Sequence, residues 1–229
     1  MSKQERVHIY IDAGNFYHLV LKKLGIQETD FDFERFSIFL ANGRTITKNG
    51  KRFYVGTVRE KEGDEKSKIA MARQNSLFSA LKKGEWEIKP SKLRLRTETV
   101  FIDKRVVDYQ KIRKAGIDRI VFEKFREKGV DVKLATDLIV GAVDDQYDVA
   151  IVVSSDSDLV PAIDWVRFRF QKKKKVEYVG FSILDEHNPK NSTEPTLNLI
   201  SKTDIKRILV RSDVEQFIIA SLFKSKQEK

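Results

Sequence analysis

Tyr147-Asp148-Val149-Ala150-Ile151-Val152-Val153-Ser154-Ser155-Asp156-Ser157-Asp158 is a short apolar, β-branched run that ends abruptly in two carboxylates one residue apart. A buried strand of a parallel sheet reads as such a continuous hydrophobic run, and ligands of open α/β sheets sit just beyond the carboxyl ends of the strands. Asp156 and Asp158 stand at such an end. Outward from it, Val7-His8-Ile9-Tyr10-Ile11 is a second run of this kind; it ends at Asp12 and passes through Ala13-Gly14-Asn15 into a helical pattern. Two strand ends thus deliver acids toward one end of a sheet.

The rest of the chain alternates strand and helix, the pattern of an α/β sheet wound with crossover helices. Phe16, Leu19, Val20 and Leu24 recur at helical spacing until Gly25, and a second helix is expected over Asp32–Leu40. A strand over Phe53–Val58 and a long helix over Glu65–Leu81, stopped by Gly84, follow. Residues 85–115 fit the alternation poorly and suggest extended segments with a basic face, inserted at the sheet edge as a hairpin. Helices are expected over Arg119–Arg126, Val132–Val143 and residues 158–169, with strands over residues 148–154 and 175–181. Val132–Val143 is so apolar that burial on more than one side is expected. The tail beyond Asp204 carries Ile205, Ile208, Leu209, Phe217 and Leu222 and is expected to dock as a helix. The reading is one domain over 1–190, a mostly parallel sheet flanked by helices, with a helical extension over 191–229 packed on it.

Lysine and arginine number 44 against 34 aspartates and glutamates, a formal charge of +10, which favours polyanionic partners through counterion release. Cysteine is absent, so disulfides, thiolate catalysis and cysteine zinc sites are excluded. His8, His18 and His187 are not spaced as metal ligands, so any bound metal is expected on oxygen, which points to Mg2+ or Mn2+. No stretch approaches the roughly 18 uncharged apolar residues of a membrane helix, and the first residues lack an apolar signal core. A cytoplasmic protein without a membrane partner is expected.

Three segments carry a resemblance: Ile9-Tyr10-Ile11-Asp12-Ala13-Gly14-Asn15, then Gly129 through Asp137, then Tyr147-Asp148 leading into Ser154-Ser155-Asp156-Ser157-Asp158-Leu159. In this order the chain resembles the NYN domain family, which includes LabA-like bacterial proteins and belongs to the PIN-like nuclease superfamily. One departure is visible, since the family more often has glycine where Ser155 stands, and serine adds a side chain close to the site. The resemblance implies a PIN-like fold and a metal-dependent endoribonuclease. It also admits a homodimer, a habit of the superfamily.

Phosphodiester hydrolysis needs an activated water and a charge clamp on the departing oxygen, which carboxylate-bound divalent cations supply. The candidate ligands are Asp12, Asp137, Asp156 and Asp158, with Asn15, three residues after Asp12, placed to orient the scissile phosphate through its amide. Each has a plainer alternative. Asp158 and Asn15 also suit helix caps, and for Asp131 the cap of the next helix is the stronger reading. Asp137 also suits an ordinary ion pair, although a mid-helix acid among leucines needs some partner. For nucleic-acid contacts the candidates are Arg167, Arg169, Lys172, Lys173 and Lys174, interleaved with Phe168 and Phe170, and Arg94 and Arg96, which alternate with apolar residues. Single-stranded RNA is favoured and DNA remains open. The alternative function is a non-catalytic RNA- or DNA-binding module on the same fold. Toprim-like and haloacid-dehalogenase-like sites fit less well, because no glutamate follows the first strand and Gly14 stands where the latter needs a second acid. No phosphate-binding Gly-x-x-x-x-Gly-Lys loop is present.

Overall fold

β1 (Arg6–Asp12) runs straight into α1 (Ala13–Phe16), a π-helical turn (Tyr17–Leu21) and α2 (Lys22–Leu24). Then come α3 (Phe33–Ala41), β2 (Thr45–Thr57), α4 (Glu65–Lys83), β3 (Glu87–Phe101), α5 (Tyr109–Lys114) and β4 (Arg119–Glu127). The chain continues through α6 (Val130–Val143), β5 (Val149–Val153), α7 (Val160–Phe170), β6 (Lys175–Ser182), α8 (Leu197–Lys202), β7 (Ile205–Val210) and α9 (Arg211–Glu215). The computed structural model describes residues 4–58, 63–127, 129–185 and 188–219; His187, Leu222 and the side chains of 93, 94 and 124–127 lie outside the described residues.

The strands form one seven-stranded sheet in the order β4-β3-β2-β1-β5-β6-β7, parallel throughout except for the β3–β4 pair. β1 therefore lies in the middle, with β2 and β5 on either side. Alternation along β1 divides the core. Val7, Ile9 and Ile11 join Phe33, Phe36, Leu40, Leu77 and Leu81 on the α3/α4 face, while Tyr10 joins Leu134, Leu138, Ile163 and Val166 on the α6/α7 face. Burying each such aliphatic or aromatic side chain contributes roughly 1.5–3 kcal/mol, so the central strand's register is strongly specified. Asp12 continues the even-numbered set and thus belongs to the α6/α7 face.

Two features bring α6 against the sheet. Gly129, at φ 83°, sits in the left-handed region before the helix starts. At Gly141 a Cβ would lie 2.9 Å from the Tyr147 ring and 3.0 Å from the Tyr10 hydroxyl, so only glycine permits this approach. Contrary to the expected burial on several sides, α6 buries one face through Val130, Leu134, Leu138, Gly141 and Ala142, while Val132, Val140 and Val143 are exposed.

Three sequence expectations need correction. Arg119–Arg126 is strand β4 and not a helix, because Ile120, Val121 and Phe122 favour extended backbone once β3 supplies a hydrogen-bonding partner. The hairpin suggested at residues 85–115 therefore has its return strand further on. The tail also begins as a strand: Ile205–Val210 pairs in parallel with β6 and closes that edge of the sheet, and the short α9 follows. That arrangement is held by Glu177 of β6, a carboxylate with no exposed surface, which meets Arg44 at 2.7 Å and Arg207 at 2.5 Å. These are ion pairs without good hydrogen-bond angles. Both arginines also donate to backbone carbonyls of α3, so one buried acid ties β6, β7 and the end of α3 together.

Candidate active site

Asp12 is both the last residue of β1 and the N-cap of α1. Its Oδ1 accepts from the Asn15 backbone N–H at 3.0 Å, and its Oδ2 accepts from the Ser154 hydroxyl at 3.2 Å. The side-chain oxygen of Asn15 accepts from the Ser155 N–H at 3.0 Å, stitching the carboxyl ends of β1 and β5 together. Asn15 thus fixes the floor of the site, and its amide nitrogen is the end left to meet a ligand. Asp156 caps the 3-10 turn after β5 by accepting from the Asp158 N–H at 2.8 Å. The cap considered for Asp158 therefore falls to Asp156, and Asp158 is exposed.

Asp131, read from sequence as a helix cap, belongs to this group. It stands in the first turn of α6, while that helix is capped by Gly129 without a side-chain bond. Burial raises the Asp131 pKa first, followed by the charges of Asp156 and Asp158, and its carboxyl is within hydrogen-bonding reach of Asp156. Asp12, only 5 % exposed, is pushed up to about 6, chiefly by burial and further by the charges of Asp131 and Asp156, against the donors from Asn15 and Ser154. Mutual repulsion among these acids is what a cation or a proton relieves.

Asp137 stands elsewhere. Its Oδ2 accepts from the Tyr54 hydroxyl at 2.7 Å and faces Lys89 at 3.4 Å and Arg52 at 3.7 Å. Six residues separate Asp131 from Asp137, about 9 Å of rise and roughly a third of a turn out of phase, so one helix cannot aim both at the same point. The partners that the ion-pair alternative expected are the ones Asp137 has here.

A cleft of about 320 Å³ opens beside Asp12 and Asp131, lined also by Gly14, Asn15, His18 and Gly129 but not by Asp156 or Asp158. His18 was not assigned a role from sequence. It lies three residues beyond Asn15, and the π-helical turn that begins at Tyr17 carries it into the cleft wall; such π turns recur at functional sites. The i, i+3 spacing from Asn15 was the available signal. Ser155, the departure from the family pattern, has no positive φ, so its turn does not require glycine; its hydroxyl lies 3.3 Å from that of Tyr178.

Carboxylate and amide oxygens suit a hard divalent cation, and the unbalanced negative charge supplies a reason to bind one. Among the described residues, however, no three histidine, aspartate or glutamate side chains are gathered closely enough to hold a metal ion. Oxygen donors of this kind would take a hard divalent cation such as Mg2+ or Mn2+, and the residues that would hold one are Asp12, Asp131, Asp156 and Asp158.

The basic candidates separate. Arg167 donates to Asp204 at 2.8 Å and to the Lys202 carbonyl, pinning α7 to the start of β7, and Lys174 is buried against Asp145 and the Tyr147 carbonyl. Both are structural, which corrects their nucleic-acid assignment. Arg169 sits beside the Phe170 ring, and Lys172 and Lys173 are exposed on the turn after α7, beside a fully projecting Phe168. Arg96 is exposed on β3; Arg94 is on the same strand, its side chain outside the described residues.

The family model of the NYN domain matches residues 6–199, which include both strand-end acid motifs and α6. The chain belongs to the NYN domain family. NYN domains belong to the PIN-like superfamily, and the mostly parallel sheet flanked by helices agrees with that fold. Among solved structures, the chain is similar to a protein of unknown function, VPA0982, from Vibrio parahaemolyticus RIMD 2210633. The identity is 17 %, covering 96 % of this chain and 99 % of that one, with a TM-score of 0.54, a likeness of fold alone. No curated protein matches. The NYN assignment carries a nuclease-type fold, and among the described residues no helix is long and apolar enough to cross a membrane.

Proposed function

We propose that this NYN domain is a divalent-metal-dependent endoribonuclease acting on single-stranded RNA, with DNA as the weaker substrate. The observation that supports it most is that Asp12, Asp131, Asp156 and Asp158 all stand at one end of the sheet, at the carboxyl ends of β1 and β5 and the start of α6, close enough for their charges to act on one another. A bound Mg2+ or Mn2+ would supply water activation and leaving-oxygen stabilisation. The chain's own contribution is to hold Asp12 rigidly through Asn15 and Ser154, to keep its carboxylate shielded from bulk water, and to set Asp156 by its cap. His18, on the cleft wall, would be available to exchange a proton with the departing oxygen.

A second reading, binding without cutting, is favoured by the fact that these acids are not gathered at ligand distances in the described structure. Labelled single-stranded RNA and the matching DNA, incubated with Mn2+, Mg2+ or chelator, separate the two. Cleavage that needs the metal and is lost in both Asp12→Asn and Asp156→Asn is the expected outcome. No cleavage by any form, with salt-sensitive RNA binding retained in the variants, would establish the binding module instead.

A further inference from the structure

β3 outgrows the sheet. It pairs with β2 only as far as Lys92, which faces Thr57, the last residue of β2; from Leu93 to Phe101 its partner is β4 alone. The two strands continue past the carboxyl edge of β2 as a two-stranded ribbon. Antiparallel partners that face each other share a face, and their register here places Arg94 opposite Arg126 and Arg96 opposite Lys124. Lys92 belongs to the same even-numbered set. Segment 92–127 holds 11 lysines and arginines against 6 acids, a surplus of five out of the chain's +10.

The ribbon also has a fixed place relative to the acids. Asp12 is level with Tyr54 on β2, and Tyr54 with Lys89 on β3. Arg94 and Arg96 lie five and seven residues beyond that level and two strands over, which at about 3.3 Å per residue and 4.8 Å per strand is roughly 19–25 Å from Asp12. Next to His18 of the acid cleft in sequence stands Tyr17, which lines a second, separate cleft of about 340 Å³ with Gln27, Arg73 and Val58. Val58 follows Thr57, whose partner is Lys92 at the foot of the ribbon. Arg73 is exposed there, and Tyr17, partly buried against the core, lines the same cleft.

We infer that the β3–β4 ribbon is a phosphate clasp that holds the RNA strand flanking the cut, with the cleft of Tyr17 and Arg73 on the way to it from the acid site. At about 3.4 Å per stacked nucleotide, 19–25 Å is roughly six or seven nucleotides. The enzyme therefore needs a flank of that length on one side of the scissile bond. The position of the cut rests on the nuclease reading, whereas the clasp itself is a matter of binding.

The test uses the full chain, its Asp12→Asn form for binding, and a fourfold variant, Arg94→Gln, Arg96→Gln, Lys124→Gln and Arg126→Gln, with thermal melting to verify folding. Affinity for labelled 4- and 16-nucleotide RNAs is measured from 50 to 200 mM salt, cleavage of both is followed in Mn2+, and sedimentation gives the oligomeric state. The expected result is that the fourfold change flattens the salt slope for the 16-mer by about 3, which removes roughly 50-fold of the affinity change over that salt range. The preference in kcat/KM for the 16-mer over the 4-mer should fall with it. An unchanged affinity and slope for the 16-mer overturns the clasp. So does a shift from dimer to monomer with RNA binding intact, which would make the ribbon a contact between two copies. Ribbon-dependent binding with no cleavage by any form would leave the clasp standing and refute the nuclease reading alone.

Discussion

Two buried groups in this fold titrate in the same pH window with opposite consequences, and removing either should expose the other. Asp12 is raised from 3.8 to about 6, first by burial and then by Asp131 and Asp156. Between those values the unfolded chain ionises Asp12 while the folded chain keeps it protonated, so stability falls as pH rises, by about 3 kcal/mol in all. His8, 1 % exposed beneath α6, is lowered from 6.5 to about 4, first by burial and then by Arg52 and Arg6. There the unfolded chain gains a proton below 6.5 that the folded chain refuses until about 4, so stability rises with pH by a similar amount, about 3 kcal/mol. The wild type should thus be nearly flat between pH 4 and 6.5. Asp12→Asn should show the histidine's rise, opposed only by the smaller fall that Asp131 contributes. At pH 7 it should be more stable than wild type by about 2 kcal/mol once a weakened Ser154 bond is subtracted, or some 4–8 °C in Tm. His8→Gln should show the opposite slope, with Asp131 adding to it in the same direction. Urea unfolding at half-unit pH steps in the presence of chelator measures both. An Asp12→Asn protein that stays flat, or is less stable than wild type at pH 7, would refute the account of a carboxylate held in the fold at a cost to stability.

The two acids of α6 should behave oppositely: Asp131→Asn should lower metal-dependent cleavage at least 100-fold while raising Tm in chelator, whereas Asp137→Asn, which weakens a group bonded to Tyr54 and facing Lys89 and Arg52, should cost about 1–3 kcal/mol by urea unfolding. Glu177→Gln leaves Arg44 and Arg207 facing a neutral buried partner and should destabilise by about 3–5 kcal/mol; a loss under 1 kcal/mol would show that the pair of ion pairs contributes nothing. Gly141→Ala drives a methyl into Tyr147 and the Tyr10 hydroxyl and should cost about 1–3 kcal/mol, seen as a lower Tm with the cleavage metal dependence unaltered.

The central strands were legible because a parallel strand buried on both faces writes an unbroken apolar run, as Val149–Val153 does, and because the acids follow at its carboxyl end. What failed depended on partners distant in sequence. Asp131 and Asp137 are both acids on one helix, and only the sheet beneath decides which meets Asp12 and which meets Arg52 and Lys89. A first-turn acid also satisfies the helix dipole, so Asp131 had a sufficient local explanation that concealed the other. In Lys172–Lys175 four identical residues give no sign that Lys174 turns inward; the positive φ angles of Gln171 and Lys172 arrange that. Strands β4 and β7 were missed for a related reason, since each is an edge strand whose extended form is selected by its one neighbour.

β1 occupies the middle of the sheet yet is made first, and its neighbour β5 lies about 140 residues later, with Val7 opposite Val149 and Asp12 bonded to Ser154. At synthesis rates of about 5–20 residues per second, that separation corresponds to roughly 7–28 s in which one side of the central strand has no partner. Contacts so distant in sequence also slow folding, because the intervening chain must be closed before they form. The acid site is divided across the same gap. A chain still emerging from the ribosome therefore carries Asp12 well before Asp131, Asp156 and Asp158, the acids it is to stand beside, have been made.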